Sequence, residues 1–206
     1  MDNSSLKNAL ENCTDELSKS RVSGMERIIR DSVKRELPGA ITEVPLTQIG
    51  AKRLWPGTRG RVDILSDTHA VELKVIRMPR LKATPSNALY DIGQLSADYW
   101  TLRNAQSIAS AELIVLLYGE LISALSSPGA VYREFHNRMF VDFTTSMATG
   151  ELKKEKNDQR REQIKEIRTM GFDKPCDKIG RPVVVHGEFA LVAIKVRRAN
   201  SRGKPK

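Results

Sequence analysis

The chain has 206 residues, of which 40% are hydrophobic and 29% are charged, which is typical of one soluble globular domain and excludes collagen-like and disordered chains. The longest apolar run, residues 113–118, is far too short for a membrane span, and we expect no signal peptide. Only two cysteines are present, Cys13 and Cys176, so we expect no disulfide framework and a reducing, cytoplasmic setting.

The formal net charge of +9 is concentrated in two segments. Residues 195–206 carry six basic residues and no acid, and residues 51–82 carry eight basic residues against three acids. A localised basic patch is typical of a protein that binds a polyphosphate, so the central segment predicts contact with nucleic acid. The tail admits two interpretations, a nucleic-acid contact or a solvated end that raises solubility.

The hydrophobic pattern predicts an alternation of helices and strands. Residues 1–20 are polar with scattered leucines and predict at most a short helix, whereas residues 21–37 predict an amphipathic helix. Residues 40–49 predict a strand, which Pro45 places at a sheet edge or a bulge. The later predicted elements are a helix over 89–106, a buried strand over 112–118, a helical segment over 119–126, a helix or strand over 131–144, a highly charged helix over 150–169 and a strand or hairpin over 182–197.

Residues 61–66 and 70–77 predict a β-hairpin that carries the clearest functional signal. A two-residue or four-residue turn between these strands places Asp63 opposite Glu72. Because side chains alternate along a strand, Asp63, Glu72 and Lys74 then converge on one face. The predicted apolar face consists of Val62, Ile64, Val71, Leu73 and Val75. Together with the other elements, this hairpin predicts an α/β fold with a central mixed β-sheet flanked by helices.

Two facing carboxylates repel each other unless a cation lies between them. A hard divalent ion such as Mg²⁺ meets that need, because it prefers oxygen ligands and retains several waters. Lys74 would then lie beside a metal-bound water, where it can orient or help to deprotonate that water and stabilise charge on a phosphate. An acid on one strand, followed by Glu72-Leu73-Lys74 on the next, resembles the PD-(D/E)XK nuclease superfamily. The resemblance covers residues 21–118 and implies a restriction-endonuclease-like core.

The resemblance implies roles for further residues. In the family the carbonyl between the second acid and the lysine also binds metal, and Leu73 has that position here. The family often carries a glutamate on the first core helix and a glutamine on the helix after the second acid, which Glu26 and Gln94 match. Glu26 has an alternative as part of a capping box with Ser23, and Gln94 as an ordinary polar helix position. Val62 replaces the family's proline before the first acid, and the RecB-like Gln-x-x-x-Tyr spacing is not met.

The implied activity is that of a Mg²⁺-dependent nuclease, with Mn²⁺ as a substitute, that hydrolyses phosphodiester bonds by metal-activated water. Asp63, Glu72, Leu73 and Glu26 are the expected metal ligands, and Lys74 and Gln94 complete the expected catalytic set. DNA is the more common substrate of the family, with RNA as the alternative. A homodimer is a further possibility, because cutting both strands of a duplex needs two sites. The expected nucleic-acid contacts are Lys52, Arg53, Arg59, Arg61, Arg77, Arg80 and Lys82.

Two other functions compete with the nuclease interpretation. One is a catalytically silent nucleic-acid-binding or structural module on the same fold, and the other is a protein–protein adaptor that works through helix 150–169. The histidines and cysteines are scattered, so a zinc site is not expected, and His69 is interpreted as a turn residue. We expect one nuclease-like domain over 1–197, with its core at 21–118 and a mixed helical and β extension at 119–197, followed by a basic tail at 198–206.

Overall fold

The computed structural model describes residues 1–52, 60–78, 95, 97–125, 127–137 and 183–196, and every structural statement below refers to these residues. They form an α/β fold in which a six-stranded mixed sheet is flanked by helices on both faces. The predicted α/β class and the central mixed sheet are therefore confirmed. Among the described residues, no helix combines the length and apolar character needed to cross a membrane.

Three helices precede the sheet, namely α1 (Asn3–Glu11), α2 (Thr14–Lys19) and α3 (Val22–Arg35). The first twenty residues are thus more helical than the sequence indicates. Helix α3 is amphipathic as predicted, because Ile29 and Val33 recur at helical spacing and are fully buried. Its N-cap is Arg21, which makes no side-chain capping bond, and Ser23 lies inside the helix. The predicted capping box between Ser23 and Glu26 is therefore wrong.

The strands are β1 (Ile41–Pro45), β2 (Arg61–Ser66), β3 (His69–Arg77), β4 (Ser110–Tyr118), β5 (Val183–His186) and β6 (Phe189–Lys195). Their order across the sheet is β1-β2-β3-β4-β6-β5. Only β3 and β4 pair in parallel, which requires the connection between them to cross over a face of the sheet. Strand β1 lies at the sheet edge, as its proline predicts, and β5 and β6 form the hairpin that is one of the two alternatives for 182–197.

The helices after β3 are α4 (residues 97–104), α5 (Glu120–Ala124) and α6 (residues 128–137). Helix α4 confirms part of the helix predicted over 89–106, and α6 resolves the first part of 131–144 as helix. Pro128 is the first residue of α6, and the Ser127 hydroxyl caps the helix by accepting a hydrogen bond from the Ala130 N–H at 3.2 Å.

Each face of the sheet has its own hydrophobic core. The α1–α3 core lies under the three N-terminal helices and includes Val71 and Leu73 of β3. The α4–α6 core lies on the other face and includes Tyr99 of α4 and Phe135 of α6, both fully enclosed. Because both faces of the sheet are covered, β4 is buried along nearly its whole length, and its sequence is an almost continuous apolar run. Helix 150–169, most of the extension and the basic tail at 198–206 lie outside the described residues.

Candidate active site

The β2–β3 hairpin has the register that the sequence predicts. A two-residue turn joins the strands, and the observed pairs are Ile64 with Val71, Leu65 with Ala70, and Ser66 with His69. This register places Asp63 opposite Glu72. The backbone pairing stops at Ile64 and Val71, however, so the two acids lie where the strands begin to separate.

Where β2 and β3 separate, hydrogen bonds from backbone N–H groups to side-chain carboxylates replace the pairing of backbone with backbone. The Asp63 N–H donates to Oε2 of Glu72 at 3.3 Å, and the Leu73 N–H donates to Oδ2 of Asp63 at 2.8 Å. Each acid therefore binds the backbone of the opposing strand. Because Asp63 is only 6% exposed, these bonds fix its carboxylate at the mouth of the gap between β2 and β3.

The alternation of side chains along β2 is broken at Asp63. Val62 packs in the α4–α6 core, whereas Ile64 packs in the α1–α3 core on the other face. The prediction that Val62 and Ile64 share one apolar face is therefore wrong. The break coincides with a distortion in β1, where Glu43 has a left-handed backbone (φ 56) and the ladder between β1 and β2 skips the pair formed by Glu43 and Asp63.

Lys74 lies two residues beyond Glu72 on the same side of β3. Its Nζ is 2.8 Å from Oδ2 of Asp98 on α4 and 3.8 Å from Oε1 of Glu72. Side chains at even positions of β3 face the α4–α6 core, as Ala70 and Ile76 do, which explains how a residue of α4 reaches the lysine. Asp98 thus anchors Lys74 beside the two acids.

Helix α3 supplies charge from the other side of the sheet. Arg30 binds the Glu43 carboxylate through Nη1, and the same nitrogen is 3.8 Å from Oδ1 of Asp63. Glu26, one turn earlier on the same face of α3, lies within electrostatic reach of Asp63, Lys74 and other charged groups of the site. Glu26, which the family resemblance assigned to the site, therefore lies close enough to influence its charged groups.

Burial and mutual repulsion raise the pKa values of the clustered carboxyl groups. Burial is the largest cause of the rise in the pKa of Asp63 from its ordinary value of 3.8 to about 6; the Leu73 N–H opposes this rise, and the Glu26 carboxylate adds to it. Burial likewise raises the pKa of Glu72 well above its ordinary value, and repulsion by Asp98 and Asp63 adds to that rise. The surroundings of these carboxyl groups therefore disfavour their ionised forms when no cation is bound.

Lys74 is held in its charged form. Burial lowers the pKa of Lys74, but the carboxylates of Asp98 and Glu72 outweigh burial and raise this pKa above its ordinary value of 10.5. The pKa of Asp98 is also raised, because the cost of burial exceeds the attraction of Lys74. Lys74 is therefore charged at neutral pH in the metal-free protein, and there it acts on its neighbours through its charge and its hydrogen bonds.

The donor set at the gap suits a hard divalent cation. Asp63 and Glu72 offer carboxylate oxygens, and the Leu73 carbonyl points to the same side of the strand as its N–H, which faces Asp63. Mg²⁺ is commonly held by one or two carboxylates, with water completing its octahedral shell. No three His, Cys, Asp or Glu side chains within the described ranges form a metal-binding group. The charge of Glu26 contributes to the raised pKa of Asp63.

Two of the predicted nucleic-acid contacts lie at the end of the hairpin where the strands separate. Arg61 begins β2 and Arg77 ends β3, and because these strands are antiparallel both exposed side chains lie at the end where the strands separate. Lys52 is also exposed, on the segment after β1. Gln94 and the remaining basic residues predicted for this role, Arg53, Arg59, Arg80 and Lys82, lie outside the described residues.

His69 belongs to a separate cluster at the other end of the hairpin. It is the first residue of β3, its Nδ1 is 2.8 Å from the Ser110 hydroxyl, and its Nε2 is 3.7 Å from Oε2 of Glu112. Glu112 is 3% exposed and also accepts a hydrogen bond from the amino group of Met1 at 2.5 Å. These contacts tie the first residue of the chain and the start of β3 to β4.

Sequence reasoning missed Asp98, Arg30 and Glu43. A signal existed for Asp98, because it lies three residues after Leu95 and four before Leu102, on the buried stripe of α4. An acid on such a stripe needs a partner. No comparable signal exists for Glu43, since its left-handed backbone in a strand of ordinary composition cannot be read from the sequence.

The fold and site together define an α/β protein in which a buried aspartate, a half-buried glutamate and a charged lysine lie where two antiparallel strands of a mixed sheet separate. A scan against protein-family models, a search of curated proteins and a search of solved structures each returned no match to this chain. The functional conclusion therefore depends on the geometry and chemistry of the site itself.

Proposed function

We propose that this protein is a divalent-metal-dependent nuclease that hydrolyses phosphodiester bonds in nucleic acid, with DNA favoured over RNA. The observation that carries the proposal is the pair of bonds across the separating strands, in which Glu72 accepts from the Asp63 N–H and Asp63 accepts from the Leu73 N–H, with the charged Lys74 beside Glu72. The fold also has the order helix, strand, strand, strand, helix, strand expected of a restriction-endonuclease-like core, from α3 to β4.

A divalent cation held by Asp63, Glu72 and the Leu73 carbonyl would supply a Lewis acid and a bound water of lowered pKa. The chain's own residues prepare the rest of the reaction. Asp63 and Glu72 are kept in place by the backbone N–H groups that they accept from, so their oxygens need little reorganisation. Their unfavourable burial without a cation is the physical reason why this pair is suited to bind one.

Lys74 stabilises the negative charge that develops on the phosphate. Its raised pKa keeps it charged, and its 2.8 Å contact with Asp98 sets the position of Nζ. Lys74 is therefore assigned to orienting the attacking water and to electrostatic stabilisation. Arg61 and Arg77, exposed at the same end of the sheet, are assigned to the flanking phosphates, where each would contribute a salt-sensitive contact.

The experiment that tests this function is cleavage by wild type, Lys74→Ala and the matched control Lys34→Ala, which removes an exposed lysine of α3. Substrates are linear and circular duplex DNA, single-stranded DNA and RNA, with Mg²⁺, Mn²⁺ or EDTA. We expect metal-dependent cutting by wild type and Lys34→Ala, and a loss of about 100-fold or more in Lys74→Ala. The substrate panel then identifies the class of nucleic acid.

Cutting that survives in Lys74→Ala or in EDTA would contradict the proposal, because it would show that the activity does not depend on this site. Absence of cutting on every substrate, combined with binding that weakens steeply with salt, would instead support a silent nucleic-acid-binding module. Absence of both would favour the protein–protein adaptor. Circular dichroism of each variant shows that the fold is retained.

A further inference from the structure

Arg30 lies between two carboxylates that belong to neighbouring strands. Its side chain is 14% exposed, its Nη1 binds Glu43 of β1, and the same nitrogen is 3.8 Å from Oδ1 of Asp63 of β2. The pairs on either side, such as Thr42 with Ile64 and Val44 with Val62, place positions 43 and 63 directly opposite each other. The guanidinium thus occupies the space where these two acids meet.

The backbone of β1 is distorted at the residue that binds this guanidinium. Glu43 has a φ of 56, a left-handed conformation that a glutamate rarely adopts, and the ladder skips its pair with Asp63. Strain of this kind persists where the surrounding structure requires it, and it is concentrated at functional sites. Here the residue with the left-handed backbone, Glu43, is also the residue whose carboxylate binds the Arg30 guanidinium.

Asp63 therefore has different neighbours on its two sides. On the β3 side, Asp63 faces Glu72, and the nearby cation, Lys74, is held by Asp98. On the β1 side, Asp63 faces Glu43, and a permanently charged guanidinium already lies between them. A divalent ion placed between Glu43 and Asp63 would be within a few ångströms of this guanidinium and would be repelled by it.

We infer that Arg30 takes the place of a second divalent cation, so that the site binds one metal ion per chain, on the β3 side of Asp63. This inference rests on the proposed function, because it assumes that Asp63 and Glu72 hold a metal. It assigns Arg30 and Glu43 as positioning residues that neutralise and orient Asp63, and it distinguishes this site from one that uses two metal ions.

The test is the number of Mn²⁺ ions bound per chain, measured by electron paramagnetic resonance of free Mn²⁺ and by calorimetry without nucleic acid. Wild type is compared with Arg30→Gln, which removes the charge, and with Arg30→Lys, which keeps it. The matched control is Arg27→Gln, an exposed arginine one turn earlier on α3. We expect one ion for wild type, Arg30→Lys and Arg27→Gln, and two for Arg30→Gln. Adding Glu43→Gln to Arg30→Gln returns the number to one.

Two ions in wild type, or one ion in correctly folded Arg30→Gln, would overturn the inference and leave the proposed nuclease function intact. If wild type binds no ion, both the inference and the proposed metal-dependent function are overturned, and EDTA would then have no effect in the cleavage assay. If circular dichroism shows that Arg30→Gln does not fold, the numbers of ions bound by wild type and by Arg30→Lys still test the inference. One ion in each supports the inference, and two in either overturns it.

Discussion

Replacing Asp63 with asparagine is expected to stabilise the metal-free protein at neutral pH. Burial raises the pKa of Asp63 from 3.8 to about 6, so the folded state holds this proton to a higher pH than the unfolded state does. The unfolding free energy therefore falls as the pH rises from about 4 to about 6 and stays lower above that range. Since each pKa unit corresponds to about 1.36 kcal/mol, the rise costs the folded protein about 3 kcal/mol.

Asparagine avoids this cost, because it stays neutral and its side-chain oxygen can still accept the Leu73 N–H. Urea unfolding followed by circular dichroism in EDTA should show Asp63→Asn more stable than wild type by up to about 3 kcal/mol near pH 7.5. Near pH 3.5 the difference should vanish, since both side chains are then neutral. Asp31→Asn, which changes an exposed acid of α3, serves as the control and should match wild type at both pH values.

Magnesium should reverse the order of stability once its binding energy exceeds the cost of the raised pKa. A cation at about 1,000 times its dissociation constant stabilises the folded state by about 4.1 kcal/mol, which is more than the cost of about 3 kcal/mol, and only wild type retains the Asp63 carboxylate. The reasoning is refuted if metal-free Asp63→Asn is less stable than wild type near pH 7.5. It is equally refuted if the difference between the two proteins is the same near pH 3.5 and near pH 7.5.

Three further predictions concern other buried polar groups. Asp98→Asn weakens the anchor of Lys74, so the cleavage rate should fall about ten-fold with little change in substrate binding; an unchanged rate would contradict this role. Burial alone would raise the pKa of Glu112, but the nearby His69 ring and the hydrogen bond from the amino group of Met1 lower it, so the stabilisation by Glu112 should be present above pH 4.5 and lost as the pH falls. Urea unfolding of Glu112→Gln should therefore show a loss of stability at neutral pH that shrinks in acid, and a loss independent of pH would refute this reading. Burial raises the pKa of Cys13 to about 11, so iodoacetamide at about pH 8 should alkylate it only after unfolding, as peptide mass spectrometry would show; rapid alkylation in the native protein would disprove this.

Local patterns were enough to predict the hairpin that carries the site. A short polar turn and the alternation of apolar residues predict the register of β2 and β3, and the observed pairs have that register. Glu26 lies on the helix predicted over 21–37, where an acid on the apolar stripe needs a partner, so its place near the site also has a local signal. These features involve residues that are close in sequence or lie on one face of a helix, so the spacing of apolar residues in the sequence is enough to predict them.

The remaining features depend on how distant segments pack. The strand order β1-β2-β3-β4-β6-β5 and the parallel pairing of β3 with β4 could not be read from periodicity, which reports which face of an element is buried but not what covers it. Arg30 and Asp98 enter the site from helices on opposite faces of the sheet, and Glu43 enters from the edge strand through a left-handed backbone. Their meeting at Asp63 and Lys74 is a consequence of tertiary packing, because it brings charges far apart in sequence into a region where burial makes each interaction strong.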